Sequence, residues 1–263
     1  RGVHLHNDHV LGHTRLSIVD VESGRQPIVI NGGRQAIVCN GEIYNFMDLR
    51  KGISPKGGFL TKSDTEVILR LYQERGSDCV KMLDGMFAFV ISDENSFMMA
   101  RDPVGIKPLY YGYLNENLYF SSELGAMSLA GVDEVHEFPA GHYYSPDTGF
   151  VRYYEIPGLA DNQFLDIETA SRQIRKTFIR AVKKRLLADP QIPVGSFCSG
   201  GLDSSLVAAI AAEEIPNLHT FVVGMRNEAG ELSDDLKAAR IAADHIGSTH
   251  HELIFSENDY YEA

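Results

Sequence analysis

With 263 residues, 44% hydrophobic and 23% charged, the chain has the composition of a globular protein, long enough for one large domain or two ordinary ones. Twenty-four basic against thirty-six acidic residues give −12, and Lys183-Lys184-Arg185 is the one clear basic cluster; this disfavours a nucleic-acid partner but not a small polyphosphate held by backbone groups. The apolar runs are too short to span a bilayer, the start carries no signal-peptide pattern, and Cys39, Cys79 and Cys198 have neither paired nor metal-like spacing, as expected of reduced thiols in a cytoplasmic protein.

Val3-His4-Leu5-His6 and Val10-Leu11-Gly12-His13 flank Asn7-Asp8, the pattern of a β-hairpin. Its four histidines read more simply as solvated surface than as a metal site, because no Cys or Glu-x-x-His spacing supports one. Beyond Arg15–Asp20, a turn at Gly24 leads into Pro27-Ile28-Val29-Ile30, and Asn31-Gly32-Gly33 turns the chain into a strand over Gln35–Cys39. Asn40-Gly41 follows. Spacing alone favours a turn there, although an Asn amide beside a glycine N–H can also form a two-donor oxyanion hole at a strand end. Ser63-Asp64-Thr65-Glu66 has the S-x-x-E form of a capping box heading a helix that runs to Gly76, and Asp64 is explained as a complement to the helix dipole. Met86–Ile91 and Phe97–Ala100 around Asp93-Glu94-Asn95 make a strand pair. Arg101–Pro108 is a rigid loop with two prolines, and Leu109–Tyr113 with Leu118–Ser122 forms the next hairpin. Phe138–Tyr144 and Val151–Tyr154 close this half, whose short strands and frequent turns predict a β-rich, sandwich-like layer structure.

Ile156-Pro157-Gly158 and Asp161-Asn162-Gln163 read as a linker over 156–165. From Ile167 the period becomes helical: Ala170, Ile174, Phe178, Ala181 or Val182, and Leu186 share one face, opposite basic residues that are most simply solvated. Ile192–Cys198 is apolar enough for a buried strand, and the alanines of Leu206–Ala212 favour helix. Between them lies Ser199-Gly200-Gly201-Leu202-Asp203-Ser204-Ser205. Strand, glycine-rich turn and helix place free N–H groups at the positive end of a helix dipole, which makes a phosphate cradle. The string is neither a Walker A loop nor a dinucleotide fingerprint. The competing reading is a tight turn capped by Ser199, Asp203 or Ser204, and the full string in this setting outweighs it. Thr220–Gly224 is a second buried-type strand, Asp234–Ile246 a helix capped by Ser233 and stopped at Gly247, and His251–Phe255 a third strand. This alternation predicts a parallel sheet with crossover helices and a ligand at the carboxyl ends of its strands, where Val223-Gly224 would border an adenine.

Arg15–Asp20, Asn40–Asn45, Ser63–Ile68, Leu83–Phe89, Arg101–Tyr110, Ser121-Ser122-Glu123, Phe138–Gly141, Ser199–Ser205 and Ser233–Ala239 follow one another along nearly the whole chain. As a set they resemble the glutamine-dependent asparagine synthetases of the class II amidotransferases, with one weak join at Arg226–Leu232 that reads as a short insertion. The resemblance implies an α/β two-domain fold. Residues 1–155 would form an N-terminal-nucleophile-type layered antiparallel β sandwich (α+β), the glutaminase domain. Residues 166–263 would form the start of a parallel-sheet, adenine-nucleotide α-hydrolase-like (ATP pyrophosphatase) domain. It implies hydrolysis of glutamine to glutamate and ammonia through a cysteine thioester. Mg-ATP would then adenylate the side chain of aspartate, and ammonia arriving by an internal tunnel would displace AMP to give asparagine. Arg15 would hold the glutamine carboxylate, flanked by backbone groups of Leu16, Ser17, Ile18 and Val19. Glu42 and Asp64 would hold its ammonium, and Asn40 and Gly41 would stabilise the oxyanion. Ser199, Gly200, Gly201, Ser204 and Ser205 would cradle pyrophosphate, Asp203 would help hold Mg²⁺, and Phe197 and Val223 would border the nucleotide. A homodimer is what the likeness suggests.

Family members begin with Met-Cys and use the α-amino group of that Cys as base. This chain begins at Arg1, inside what reads as a strand, and stops at Glu262-Ala263, in what reads as the opening of a helix. The expectation is a longer protein truncated at both ends, lacking the nucleophilic Cys and the downstream synthetase loop, and inactive by itself. Cys39, Cys79 and Cys198 occupy core or strand positions and do not stand in. Three alternatives stay open or are weighed: a β-lactam synthetase-like cyclase, disfavoured because Arg15, Asn40, Glu42 and Asp64 are all retained; an amidotransferase for another carboxylate; and an inactive paralogue serving as a binding module.

Overall fold

A computed structural model of the chain describes residues 1–94, 96–158, 166–226, 231–256 and 259. It divides into two compact units, Arg1–Asn162 and Gln163–Ala263. Most of the expected linker, 159–165, part of the expected insertion, 227–230, and the expected helix opening at 262–263 lie outside the described residues.

In the first unit, β1 (Gly2–His6) and β2 (His9–His13) form the expected hairpin. Its histidines are not merely solvated. His4 Nε2 bonds to the Gly33 carbonyl at 2.9 Å, His9 Nδ1 to the Ser92 hydroxyl at 2.8 Å and His13 Nε2 to the Cys39 carbonyl at 3.1 Å. The chain continues through β3 (Ile28–Ile30), β4 (Gln35–Ile43), α1 (Phe46–Gly52), α2 (Asp64–Arg75), β5 (Gly85–Asp93) and β6 (Ser96–Arg101). It then adds β7 (Tyr110–Leu114), β8 (Asn117–Ser121), α3 (Leu124–Leu129), β9 (Val135–Glu137), β10 (His142–Ser145) and β11 (Gly149–Arg152). One antiparallel sheet has the order β11-β10-β6-β5-β4-β3, and a second has the order β8-β7-β9. The alternation of side chains along β4 and β5 builds two cores. Ile37, Cys39, Phe87 and Phe89 pack with Val67, Ile68 and Leu71 of α2, while Val38, Ala88 and Val90 pack with Leu109, Tyr111 and Phe138 on the side of the smaller sheet. Helices, large sheet and small sheet thus form layers. Helices α1 and α3, of seven and six residues, are too short to announce themselves by a helical period.

Two local expectations are corrected. Asn40-Gly41 is not a turn: β4 runs through it to Ile43, with Asn40 opposite Ala88 and Gly41 opposite Phe87. Only glycine fits there, since a Cβ would overlap the Met86 carbonyl oxygen and the Phe87 Cα. The second correction concerns the capping box. Ser63 Oγ accepts the Thr65 N–H (3.2 Å), but Glu66 does not reach back to Ser63. Fully buried, Glu66 instead accepts the N–H groups of Leu60 (2.9 Å) and Thr61 (2.6 Å), the Thr61 hydroxyl (2.9 Å) and Arg70 Nε (3.0 Å). It therefore anchors the loop before α2, a role that a helical register cannot reveal.

A second buried carboxylate organises the proline-flanked loop. Asp102, at 0% exposure, accepts the N–H groups of Phe87 (3.2 Å), Val104 (3.2 Å), Ile106 (2.9 Å) and Lys107 (3.0 Å). Its neighbour Arg101 donates to the carbonyls of Gly105 (3.0 Å), Lys107 (2.7 Å) and Phe138 (2.6 Å). Lys107 is thereby fixed through both its N–H and its carbonyl.

The second unit contains α4 (Ile167–Lys183), β12 (Gly195–Phe197), α5 (Leu202–Glu214), β13 (His219–Met225), α6 (Asp234–Ile246) and β14 (Thr249–Phe255). Its strands form the expected parallel sheet, order β12-β13-β14. They are not buried on both faces, however. Thr220 and Val222 are buried on the side of α6, whereas Phe221 and Val223 are exposed and Phe197 is 77% exposed. Helix α4 starts at an Asp166 cap that accepts the Thr169 N–H at 2.8 Å. Only the later part of its apolar face packs: Phe178, Val182 and Leu186 meet Val207, Ala208 and Ala211 of α5, while Ile174 is exposed. Gly247, in the left-handed conformation, ends α6 as expected, but Ser233 makes no capping bond at its start. No helix among the described residues is long and apolar enough to cross a membrane.

The Glu66–Arg70 pair yields the first prediction. Arg70→Ala strands a buried carboxylate and should cost about 3–5 kcal/mol of stability. Urea unfolding of the parent and the variant measures this, and a loss below about 1 kcal/mol would mean that water replaces the guanidinium.

Candidate functional site

The first unit contains a cavity of about 550 Å³. Of the residues that the resemblance assigns to glutamine, Arg15, Leu16, Ile18, Val19, Asn40, Gly41, Glu42 and Asp64 line it, and Ser17 does not. Strand, helix and loop each contribute to its wall, and the local reasons differ.

The floor is the open edge of β4. Strand β3 pairs with β4 only as far as Ile37, so among the described residues the next backbone groups on that edge have no strand paired to them. The buried side chain of Gln26 substitutes for one: its Oε1 accepts the Cys39 N–H (2.6 Å) and its Nε2 donates to the Cys39 carbonyl (3.1 Å). Four residues on, Ile43 donates its N–H to Asp64 Oδ2 at 2.9 Å. Because strand groups alternate between edges, the N–H of Gly41 points to the same side, between these two, into the cavity. Asn40 stands beside it, its Nδ2 donating to Ser122 Oγ at 3.3 Å.

The loop that carries Arg15 is closed on itself. Arg15 donates to the Asp20 carbonyl (3.0 Å) and to the Val19 carbonyl. Asp20 accepts from the Ser23 N–H (3.1 Å), the Ser23 hydroxyl (2.6 Å) and the Lys62 N–H (2.9 Å). Burial works against ionisation of Asp20, but these bonds hold its carboxyl below the ordinary range. Two of the five guanidinium donors face backbone, which leaves the fork able to take a carboxylate.

Acidic side chains line the same cavity. Burial raises the Asp64 carboxyl, partly offset by bonds from Ile43, Thr65 and Ser63. Burial also raises Glu42, the negative charge of Asp64 raises it further, and the Lys107 ammonium pulls it back. The cavity is thus lined by a guanidinium and by two carboxylates, Glu42 half-buried and Asp64 buried. Lys107, Gln26, His13 and Ser122 also line it and were not anticipated as site residues. Their sequence neighbours carry the loop and strand signals, but their own residue types carry none. Of the cysteines, all are free and buried, and Cys39 alone reaches this cavity wall. Burial pushes its thiol well up, with the Asp64 charge adding to the effect.

In the second unit, Ser199–Ser205 joins β12 to α5. Gly200 has φ +80°, and a Cβ on it would overlap the backbone of Ala238 and Ala239, so this position requires glycine twice over. The Ser199 N–H donates to Ser204 Oγ (3.2 Å), which donates to the Gly201 carbonyl (3.2 Å). Neither Ser199, Asp203 nor Ser204 caps α5; Gly201 occupies the cap position with no side-chain bond. The helix therefore opens on N–H groups that no side chain covers, beside the buried Ser205 Oγ, which has no partner among the described residues. Asp203 is exposed in this first turn, and Phe197 and Val223 present exposed side chains on neighbouring strands. This arrangement can take an anionic oxygen group.

Residues 1–171 match the family described as Glutamine amidotransferase domain, and residues 173–263 the family described as Asparagine synthase. A protein of Arabidopsis thaliana named asparagine synthetase (glutamine-hydrolyzing) 3 is 42% identical over 275 residues, all of this chain and 46% of that protein. One of Triphysaria versicolor named asparagine synthetase (glutamine-hydrolyzing) is 42% identical over 276 residues, all of this chain and 45% of the relative. One of Zea mays with the same name is 40% identical over 275 residues, again all of this chain and 45% of the relative. The chain spans about half the length of the curated relatives it matches.

Glu42 gives the site a pH signature. Folded Glu42 holds its proton more tightly than the unfolded chain does. Its contribution to stability is therefore fully present below the ordinary carboxylate range and is lost as pH rises through the folded value. Glu42→Gln is expected to raise the unfolding temperature at about pH 7 and to leave it unchanged near about pH 4. Circular dichroism melts measure both, and a variant less stable than its parent at neutral pH would contradict the assignment.

Proposed function

The chain belongs to the glutamine amidotransferase family, and on that premise we propose that it forms the glutaminase domain and the start of the synthetase domain of a glutamine-hydrolysing, ATP-dependent asparagine synthetase. Residues 1–155 are the proposed glutaminase part, 156–165 the joint and 166–263 the synthetase part. The observation that carries the reading is the convergence of Arg15, Asn40, Gly41, Glu42 and Asp64 on one cavity. A cytoplasmic location and a homodimer belong to the same reading.

In this proposal Arg15 binds the glutamine α-carboxylate through its planar fork, and Glu42 takes the α-ammonium. Asp64, whose oxygens already accept from Ile43, Thr65 and Ser63, acts chiefly as a buried negative charge behind Glu42. The substrate amide then lies at the β4 edge, where the Gly41 N–H and the Asn40 amide receive the oxyanion that develops as the carbonyl is attacked. The attacking thiol is proposed to be a residue outside these 263. A nucleophilic thiol needs a lowered pKa and access, and Cys39, though on the cavity wall, is buried with its pKa pushed up.

In the second unit, the uncovered N–H groups of α5, together with Ser199, Gly200, Gly201, Ser204 and the unpartnered Ser205 hydroxyl, fit the pyrophosphate of ATP. Phe197 and Val223 would border the adenosine. Asp203 suits Mg²⁺, a hard cation commonly held by one or two carboxylates plus phosphate oxygens. Bound there, the ion would neutralise charge on the phosphates. Adenylation suits the reaction because a carboxylate is otherwise inert to ammonia, whereas AMP is a good leaving group.

In the full-length protein, Arg15→Ala or Asp64→Ala should abolish glutamine use, through a rise in glutamine KM of at least about 30-fold, while sparing synthesis from free ammonia. Loss of both activities together would make these residues structural. Asp203→Ala should do the reverse and leave glutaminase largely intact. For the acceptor, pyrophosphate release can be followed across a panel of carboxylates. Aspartate failing where another acid works would refute the asparagine reading.

A further inference from the structure

We propose that Ser122 is a positioning residue for Asn40, its hydroxyl restraining rotation of the Asn40 amide at the cavity. The proposal rests on the glutamine reading of the cavity. The two residues lie 82 positions apart, Asn40 inside β4 and Ser122 just past the end of β8, and both line the cavity. Asn40 Nδ2 donates to Ser122 Oγ at 3.3 Å. Ser122 is itself placed from both sides: Ser121 pairs with Tyr110 on β7, and the Ser121 hydroxyl accepts the Glu123 N–H at 3.0 Å as the chain turns towards α3.

A carboxamide is a two-ended rotor, and only its NH₂ end can donate to a developing oxyanion. Turned the other way, its carbonyl oxygen would repel that charge. With one Nδ2 hydrogen on Ser122, the second remains for the substrate, beside the Gly41 N–H. Without Ser122 the amide is free to rotate, so its donor is misplaced for part of the time. Removing an oxyanion donor outright costs about 10²–10³ in kcat. Loosening one should cost less, and it should act on kcat rather than on binding, because the ground-state carbonyl demands less of the donor than the oxyanion does.

Two measurements test this. In the 263-residue chain, ¹⁵N NMR should show the Asn40 side-chain amide protons exchanging with solvent about tenfold faster in Ser122→Ala and at the parent rate in Ser122→Thr, which keeps the hydroxyl. Unchanged exchange in Ser122→Ala overturns the proposal. In the full-length protein, Ser122→Ala should lower kcat for glutamine hydrolysis by about tenfold with KM within about twofold. Synthesis from ammonia should be unaffected, and Ser122→Thr should restore the rate. A parent-like kcat in Ser122→Ala, or a fall in ammonia-dependent synthesis alongside it, overturns the proposal. If the parent itself does not hydrolyse glutamine, the functional reading fails, and the exchange measurement alone decides the role of Ser122.

Discussion

Among the described residues no strand pairs with the edge of β4 beyond Ile37, and the first unit is arranged around the backbone groups left there. Buried backbone polar groups must find partners. A side-chain amide satisfies Cys39, a helix-terminal carboxylate satisfies Ile43, and the gap between them is Gly41. What would be a defect in an ordinary sheet becomes a directed donor at a cavity. The close approach of β5, which excludes a Cβ at Gly41, keeps that donor in the plane of the sheet and leaves the cavity open above it.

The buried acidic side chains of this unit are organisers of backbone. Asp20, Asp64, Glu66 and Asp102 each accept from two or more main-chain N–H groups, and each fixes a segment that reaches the cavity wall or supports one that does. Carboxylates hydrogen-bonded in this way are worth more than exposed ion pairs, since removing one leaves several buried donors stranded. Glu42 differs. It is half-buried, it is raised by burial and by Asp64, and Lys107 pulls it the other way, which suits the cation-binding role proposed for it.

In the proposed function the second unit would handle an anion by the opposite strategy. The first presents a guanidinium on a closed loop; the second presents main-chain N–H groups at a helix start that has no side-chain cap. Gly200 makes this workable by letting the loop lie against the backbone of α6. Among the described residues its sheet is covered by helices on one face only, and β13 accordingly alternates buried and exposed residues rather than running apolar throughout.

Much of this was legible in the sequence, because periodicity and turn residues report local structure. The β1–β2 hairpin, helix α2 ending at Gly76, the β5–β6 and β7–β8 pairs and the strand–loop–helix of Ser199–Ser205 all follow from patterns within a few residues of themselves. The family motifs supplied the residues of the cavity, which composition and spacing could not, since Asn40-Gly41 reads locally as a turn and Ser63–Glu66 as a capping box. Tertiary structure decided both cases. Pairing with β5 extends β4 through Gly41, and burial beside Arg70 and the loop at Leu60-Thr61 takes Glu66 away from the cap. The contacts of Gln26, and of Ser122 and Lys107 within their motifs, were not legible in the sequence for the same physical reason. Their roles depend on partners 13, 82 and 65 residues away, Cys39, Asn40 and Glu42, and no local pattern encodes a contact made across sheets. The sequence by itself determined most of the strands, the hairpin turns and the longer helices, because their patterns are local; only the fold decided that β4 runs on through Gly41 and which polar groups face one another, because both depend on partners distant in sequence.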